Sequence, residues 1–372
     1  MVKENLLIKN ILRGAIQKVA TGPEFSKNIS EEDSYNSMLN ILDNDADSVQ
    51  AAIYLIAMRM KRETMDENIG SLKALIDKSN IITANVDELL DVAEPYNGFL
   101  RNTPLSAFLP AVFSAIGIPC VTHGVEMVGP KFGLTTKKIL KTAGINVDKS
   151  MQEASDCLSN KDIGWAYIDQ EKFCKPLYDL VDLRTRMVKR TILTTREVLV
   201  GPIRAKNKTH LLTGYVHAAY PPVYSNLAKV AGFDTAVLVK GVEGGISPAL
   251  RGDGKVFYYS GNNELQETKF DPKSISIEQN MRAVPLPNLD KQEGVKLDEI
   301  SSDINVEDFS AKTSEIGIEA LNGKDGPAKD TLIYTGALTL SIIKNISFNE
   351  AASQIKKAIN SGKAKDFFYN SI

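Results

Sequence analysis

The chain has 372 residues, 43% of them hydrophobic and 24% charged, with a net charge of −2 and a mean hydropathy of −0.15. That length allows two domains, or one large domain with a satellite, and the composition supplies a sizeable core. A charge so close to neutral excludes a global pull toward nucleic acid or membrane, so any polyanion site has to be a local patch.

The three cysteines, Cys120, Cys157 and Cys174, are too scattered for a disulfide framework or a zinc knuckle and suit a reducing cytosol. No apolar run reaches membrane-spanning length, and the opening MVKENLLIKN lacks the apolar centre of a signal peptide. The expectation is a cytoplasmic protein with no membrane partner.

Residues 1–85 read as helices forming a small domain. Ser30-Glu31-Glu32-Asp33 is a capping-box candidate. Asp47-Ser48 opens SVQAAIYLIAMRMKRET, where Val49, Ala52, Ile53, Ile56 and Met60 share one face and are expected to pack inward. A further helix lies near 65–78. These amphipathic helices exceed what one small bundle buries, which predicts a homodimer through the helical domain.

From residue 86 to 372 short β-rich runs alternate with helical stretches. Candidate strands are 89–93, 118–121, 164–168, 210–216, 236–240 and 256–259, with a β-rich piece at 265–270. Spacings of about 25 to 45 residues between the first several predict parallel βαβ crossovers; the last pieces read as an antiparallel return. The expected fold class is α/β: a small N-terminal helical domain, joined by helices from about 171–200, plus a large domain with a mostly parallel central sheet flanked by helices. Residues 285–313 are polar and acidic, a surface excursion. Two helices are expected to close the chain, the second capped by Ser347 with Glu350.

The stretch 89–133, LLDVAEPYNGFLRNTPLSAFLPAVFSAIGIPCVTHGVEMVGPKFG, is the expected floor of any site. It is a βαβ unit, and ligands bind outside the carboxyl ends of such strands, where amides and helix N-termini point outward. Tyr96, Asn97, Gly98, Arg101, Asn102 and Thr103 form the first strand-end loop. His123-Gly124 ends the second strand; the histidine either faces a ligand or is hydrogen-bonded locally. His210 and His217 read as structural. Lys240-Gly241-Val242-Glu243-Gly244-Gly245 is a glycine-rich strand-end turn. Its backbone can approach an anion, and Glu243 can orient a sugar hydroxyl or a hydrated metal ion.

Between 184 and 208 the chain carries Arg184, Arg186, Lys189, Arg190, Arg196, Arg204, Lys206 and Lys208 against one acid, Glu197. The segment is either a solvated basic helix or an anion site for phosphates or a nucleic-acid backbone. Clustered aromatics for base stacking are not evident. No GxSxG elbow, Walker-A loop or GxGxxG fingerprint occurs.

In their order along nearly the whole chain, these pieces resemble the anthranilate phosphoribosyltransferase family, which shares a fold with pyrimidine nucleoside phosphorylases. SVQAAIYLIAMRMKRET and DENIGSLKAL resemble its N-terminal helices. VTHG stands where the family has K-H-G-N-R, and LRTRMVKRT resembles R-x-x-L-G-x-R-T. The resemblance places Arg184 at the arginine that holds the aromatic acid. GKDGPAKDTLIYTGALTL and the residues after it resemble the C-terminal strand and helices. The family binds phosphoribosyl pyrophosphate with magnesium and lets the pyrophosphate leave as an aromatic amine attacks the ribose.

The site departs from that pattern. Where the family has G-T-G-G-D, the chain has Glu94-Pro95-Tyr96-Asn97-Gly98; a proline removes one amide donor, so the phosphate cradle cannot form in the same way. Thr122, Val125 and Glu126 replace the lysine, asparagine and arginine of K-H-G-N-R. Cys174 stands for an expected histidine, and Glu243 alone stands for an Asp-Glu magnesium pair. PYNG followed by a basic Thr-Pro-Leu segment, and KGVEG, resemble a divergent second branch. That resemblance implies a retained fold and homodimer, loss of the biosynthetic activity, and in some members nucleic-acid binding through basic grooves.

Three functions are therefore expected in competition. The first is a phosphoribosyltransferase-like protein with an altered site, binding a phosphorylated small molecule through the loops above, with magnesium at Glu243. The second is a non-enzymatic single-stranded nucleic-acid binder using Arg184, Lys189 and Arg190. The third is a genuine anthranilate phosphoribosyltransferase.

Overall fold

The structure, a computed structural model, describes residues 2–290 and 303–371. The helical region comprises α1 (Val2–Val19), α2 (Glu31–Leu42), α3 (Ser48–Lys61) and α4 (Met65–Asp77). Each of the last three starts on a side-chain cap: Ser30 accepts from the Asp33 amide, Asp47 from Val49 and Gln50, and Thr64 from Glu67. Glu67 also returns a bond to the Thr64 N–H, pairs with Lys61 at 2.8 Å and accepts from the Ile29 N–H. One buried carboxylate thus ties two helices and a loop. Gly70 is what lets α2 and α4 touch: a Cβ there would lie 2.1 Å from the Glu31 carbonyl oxygen.

The face of α3 expected to pack inward is the outer one. Ala51, Tyr54, Leu55 and Met58 are buried, whereas Val49, Ile53 and Met60 are 63%, 39% and 75% exposed. Both faces of this helix are apolar, so periodicity alone does not choose between them.

After β1 (Ile82–Thr83) come β2 (Glu88–Ala93), α5 (Leu109–Ala115), β3 (Cys120–Gly124), α6 (Thr136–Thr142), α7 (Met151–Ser159) and β4 (Trp165–Asp169). Short helices α8 (Gln170–Phe173), α9 (Lys175–Tyr178), α10 (Val181–Arg186) and α11 (Leu193–Arg196) follow; α10 packs on α3 and α11 on α4. Then come β5 (Ile203–Arg204), β6 (Lys208–Gly214), α12 (Tyr220–Val230), β7 (Thr235–Val239), β8 (Gly254–Ser260) and β9 (Gln266–Phe270). The chain ends in α13 (Val306–Leu321), α14 (Pro327–Lys344), α15 (Phe348–Asn360) and α16 (Lys363–Tyr369).

The main sheet has seven strands in the order β4-β3-β2-β6-β7-β8-β9. β4 through β7 are parallel; β8 and β9 are antiparallel. β2 is the middle one of the five parallel strands, and all but its first residue are buried, as expected of a strand covered on both faces. Leu89 and Ala93 pack toward the helical region, Leu90 and Val92 toward the C-terminal helices. β1 and β5 form a separate parallel pair. His210, inside β6, bonds Glu88 at 2.8 Å.

Two expectations at the C-terminus are corrected. Four helices close the chain, and GKDGPAKDTLIYTGALTL forms a turn and α14 with no strand, because Pro327 opens a helix at its first turn. Their apolar faces cover the far side of the sheet, where the Trp165 indole donates to the Phe367 carbonyl and stacks on Phe368. Within the acidic excursion, residues 291–302 lie outside the described residues. Among the described residues no helix is long and apolar enough to cross a membrane.

Candidate anion-binding cleft

The loops that follow β2 and β6, and the 241–245 turn after β7, face Arg59 of α3. There a cleft opens between α3, the segment after α10, the β6–α12 loop and the 241–245 turn. Arg59 enters it from α3, Asn97 from the loop after β2, Arg190 and Thr194 from the basic segment, and Tyr220 from α12. Glu243 separates it from an adjoining hollow lined by Arg101, Asn102, Lys240, Gly241 and Arg282.

The first loop closes on itself. Gly98 has φ +72, and a Cβ there would lie 2.5 Å from the Gly133 backbone, so only glycine fits. The Gly98 carbonyl accepts from Lys131 Nζ at 2.6 Å. Thr103 is anchored by its N–H to the Val284 carbonyl and by its hydroxyl to Pro285.

Glu243 occupies the amides of this loop. Its Oε1 accepts from the Leu100 N–H and its Oε2 from the Arg101 N–H, each at 3.0 Å, and Lys131 forms an ion pair with Oε1. Burial pulls the Lys131 ammonium down to about 8 against the opposing pull of Glu243, with Arg190 and Arg101 adding to the fall. Arg190 is exposed at the cleft, yet desolvation, then repulsion by Arg59, lowers its pKa as well. Among the described residues no carboxylate pairs with Arg59, Arg101 or Arg190. Magnesium does not fit here. Glu243 is a lone carboxylate already held by a cation and two amides, and no cluster of potential metal ligands occurs among the described residues.

Several residues expected at the site are elsewhere. His123 lies 2.9 Å from Asp91 by Nε2, off the hydrogen-bond direction, and its Nδ1 bonds the Tyr96 hydroxyl; all are buried. Ligand access to His123 and Tyr96 is corrected accordingly, and Gly124 is buried beside Tyr167. Arg184 is inside the protein, paired with Glu197 at 2.7 and 2.8 Å, and cannot reach an acid in the cleft. Lys189 is at the surface. Sequence reading missed Arg59, Lys131 and an aromatic ladder. The His217 and Tyr220 rings lie tilted against each other, as do those of Tyr220 and Tyr224, with centroids 6.0 and 5.7 Å apart. The signal was present in the Tyr-Pro-Pro-Val-Tyr spacing, which puts two tyrosines on one helical face.

A helical bundle set against a mostly parallel sheet, with a cationic cleft between them, is a fold that this chain shares with solved anthranilate phosphoribosyltransferases. The model of the glycosyl transferase family's helical bundle domain matches residues 13–79. An anthranilate phosphoribosyltransferase of Acetivibrio thermocellus is 25% identical over 95% of this chain and 94% of its own length. Another from Petrotoga mobilis is 24% identical over 94% and 92%. The solved anthranilate phosphoribosyltransferase of Thermus thermophilus superposes with a TM-score of 0.72 at 15% identity, covering 97% of this chain and 98% of its own. That of Saccharomyces cerevisiae, in complex with PRPP and Mg, does so with 0.75 at 16% identity, covering 98% of each. Along nearly its whole length the chain is thus similar to anthranilate phosphoribosyltransferases in sequence and in fold.

Proposed function

We propose that this is a phosphoribosyltransferase-like protein with an altered site, whose cleft binds a phosphorylated ribose or a related anion and whose acceptor is not anthranilate. The observation that carries the reading is the pair Arg59 and Arg190, facing one cleft with no carboxylate partner among the described residues. Like charges held together are unfavourable until an anion joins them. Tyr220 offers a ring for the sugar or an attached base. Glu94-Pro95 in place of a glycine loop, and Glu243 turned into the loop amides, argue against the family's pyrophosphate grip and favour the divergent branch. Calorimetry with phosphoribosyl pyrophosphate and with ribose 5-phosphate, both without magnesium, tests this. Binding is expected, weakened about tenfold or more by R59A or R190A; no heat with either ligand overturns it. No complementation of a tryptophan auxotroph is expected.

A second reading, single-stranded nucleic acid, is favoured by His217 and Tyr220 beside Arg190 at the cleft, since aromatic rings next to cations suit exposed bases. In either case the exposed apolar residues of α3 support a homodimer through the helical region.

A further inference from the structure

We propose that Asp91, His123 and Tyr96 form a buried positioning relay: Asp91 sets which His123 nitrogen carries the proton, and the bare nitrogen holds the Tyr96 hydroxyl and with it the loop that walls the cleft. The relay governs the shape of that loop and does not depend on which ligand the cleft takes.

Three elements supply the groups. Asp91 comes from the middle of β2, His123 from the end of β3 and Tyr96 from the loop after β2, and they are 0%, 1% and 2% exposed. His123 Nε2 lies 2.9 Å from Asp91 Oδ1. The contact is off the hydrogen-bond direction, so Asp91 acts through its charge, in surroundings that screen it little. A carboxylate so placed favours the proton on the nitrogen that faces it. A neutral imidazole carries only one such proton, so Nδ1 is left as an acceptor. Its partner is the Tyr96 hydroxyl. Burial pushes that hydroxyl well above the usual tyrosine range, with Glu197, Asp91, Asp169 and Cys174 adding to the rise, so it keeps its proton and donates. Tyr96 and Phe173 both meet the imidazole edge-on, with centroids 5.6 and 5.8 Å away, which fixes the ring's orientation.

Tyr96 is the point at which this loop enters the interior. Pro95 before it and Asn97 after it line the cleft. Beyond them the loop is closed by backbone bonds: the Gly133 N–H donates to the Asn97 carbonyl, and Phe99 and Leu134 exchange N–H and carbonyl, each at 2.9 Å. Those bonds tie the loop to residues 133–134, and the Tyr96 hydroxyl ties it to β3. Without the hydroxyl bond the ring loses its hold on β3 and leaves a buried acceptor unpaired. Residues 97–99 and 133–134 then open together while the sheet beneath stays closed, which is local unfolding confined to the cleft wall.

The test is amide hydrogen exchange on the full-length protein. Y96F and H123A are expected to exchange about tenfold faster at residues 97–99 and 133–134, with β2 and β6 unchanged. H123N, whose side-chain oxygen can take the place of Nδ1, is expected to restore most of that protection. Unchanged exchange in Y96F, or a rise spread equally over the sheet, overturns the proposal, because a residue that only fills the core loosens everything around it. Nitrogen-15 NMR of the wild-type histidines needs no variant to fold. It is expected to show His123 with its proton on Nε2 and a bare Nδ1, and D91N to weaken that preference. A proton on Nδ1 in the wild type, or a tautomer that D91N leaves as it was, overturns the role given to Asp91. Neither measurement uses a cleft ligand, so the reading of the cleft stands whichever way they fall.

Discussion

Arg184 and Glu197 form a bidentate ion pair inside the protein, Nη1 to Oε2 at 2.7 Å and Nη2 to Oε1 at 2.8 Å, with the residues 3% and 0% exposed. The pair pins α10 to the segment after α11 and so fixes the loop between them, which carries Arg190 to the cleft. Removing one partner leaves the other charge buried and alone. R184M is expected to lose about 3–5 kcal/mol in urea unfolding, and R184M/E197L to recover most of that. A single variant as stable as wild type would show that the pair does not hold this segment.

Glu94 gives a prediction on the alkaline side. It is fully buried; its Oε1 receives the Ile246 N–H at 3.4 Å and its Oε2 has no partner. Burial raises its carboxyl to about 7, against the weaker pull of Ser106, the Ile246 amide and Lys131. With the folded pKa above the ordinary value of 4.5, the folded state holds the proton longer. Stability is therefore full below about 4.5 and falls as pH rises through 7. E94Q should match wild type at about pH 5 and exceed it by roughly 2–3 kcal/mol at pH 8. Equal pH profiles from thermal melts of both proteins would refute the assignment.

The strands were legible because each is a short apolar or β-branched run bounded by turn residues, and their wide spacing forces parallel crossovers. Which side chains reach the cleft was not legible. His123 ends a strand as expected, but Asp91 one strand over and Tyr96 from the next loop close around it. Arg184 looked like a ligand group until Glu197, thirteen residues on, took both its nitrogens. Glu243 reads in the sequence as a ligand for a sugar hydroxyl or a hydrated metal ion, yet the amides it accepts from lie more than 140 positions away. Such pairings depend on tertiary contacts, whereas periodicity reports only neighbours along one element. Arg59 was hidden for a related reason: it sits on α3, whose two apolar faces sequence could not rank.

If the cleft takes single-stranded nucleic acid, affinity is to fall steeply with salt, because each neutralised phosphate releases counterions. K189E/R190E should weaken binding uniformly across sequences and flatten the salt slope, whereas Y220A should weaken binding without changing that slope. Fluorescence anisotropy with a labelled oligonucleotide at several salt concentrations reads both. A salt-independent signal, or none, rejects nucleic acid and leaves the small phosphorylated ligand.

The outer face of α3 is apolar and exposed. Val49, Ile53 and Met60 expose apolar side chains on one helix, with Ala52 and Ile56 half-buried between them. A stripe of this kind stays in water only at a cost, at about 25 cal/mol per Å² of apolar surface. A two-fold contact between copies would bury the same stripe twice with one set of residues. Sedimentation equilibrium is expected to give a dimer, and I53D to give a folded monomer, since a charge inside such a contact has no partner. Arg59 enters the cleft from α3 but is not one of the exposed apolar residues of this stripe. Ligand affinity in the I53D monomer should therefore stay close to wild type; a coupled loss would mean that the dimer contact also positions Arg59.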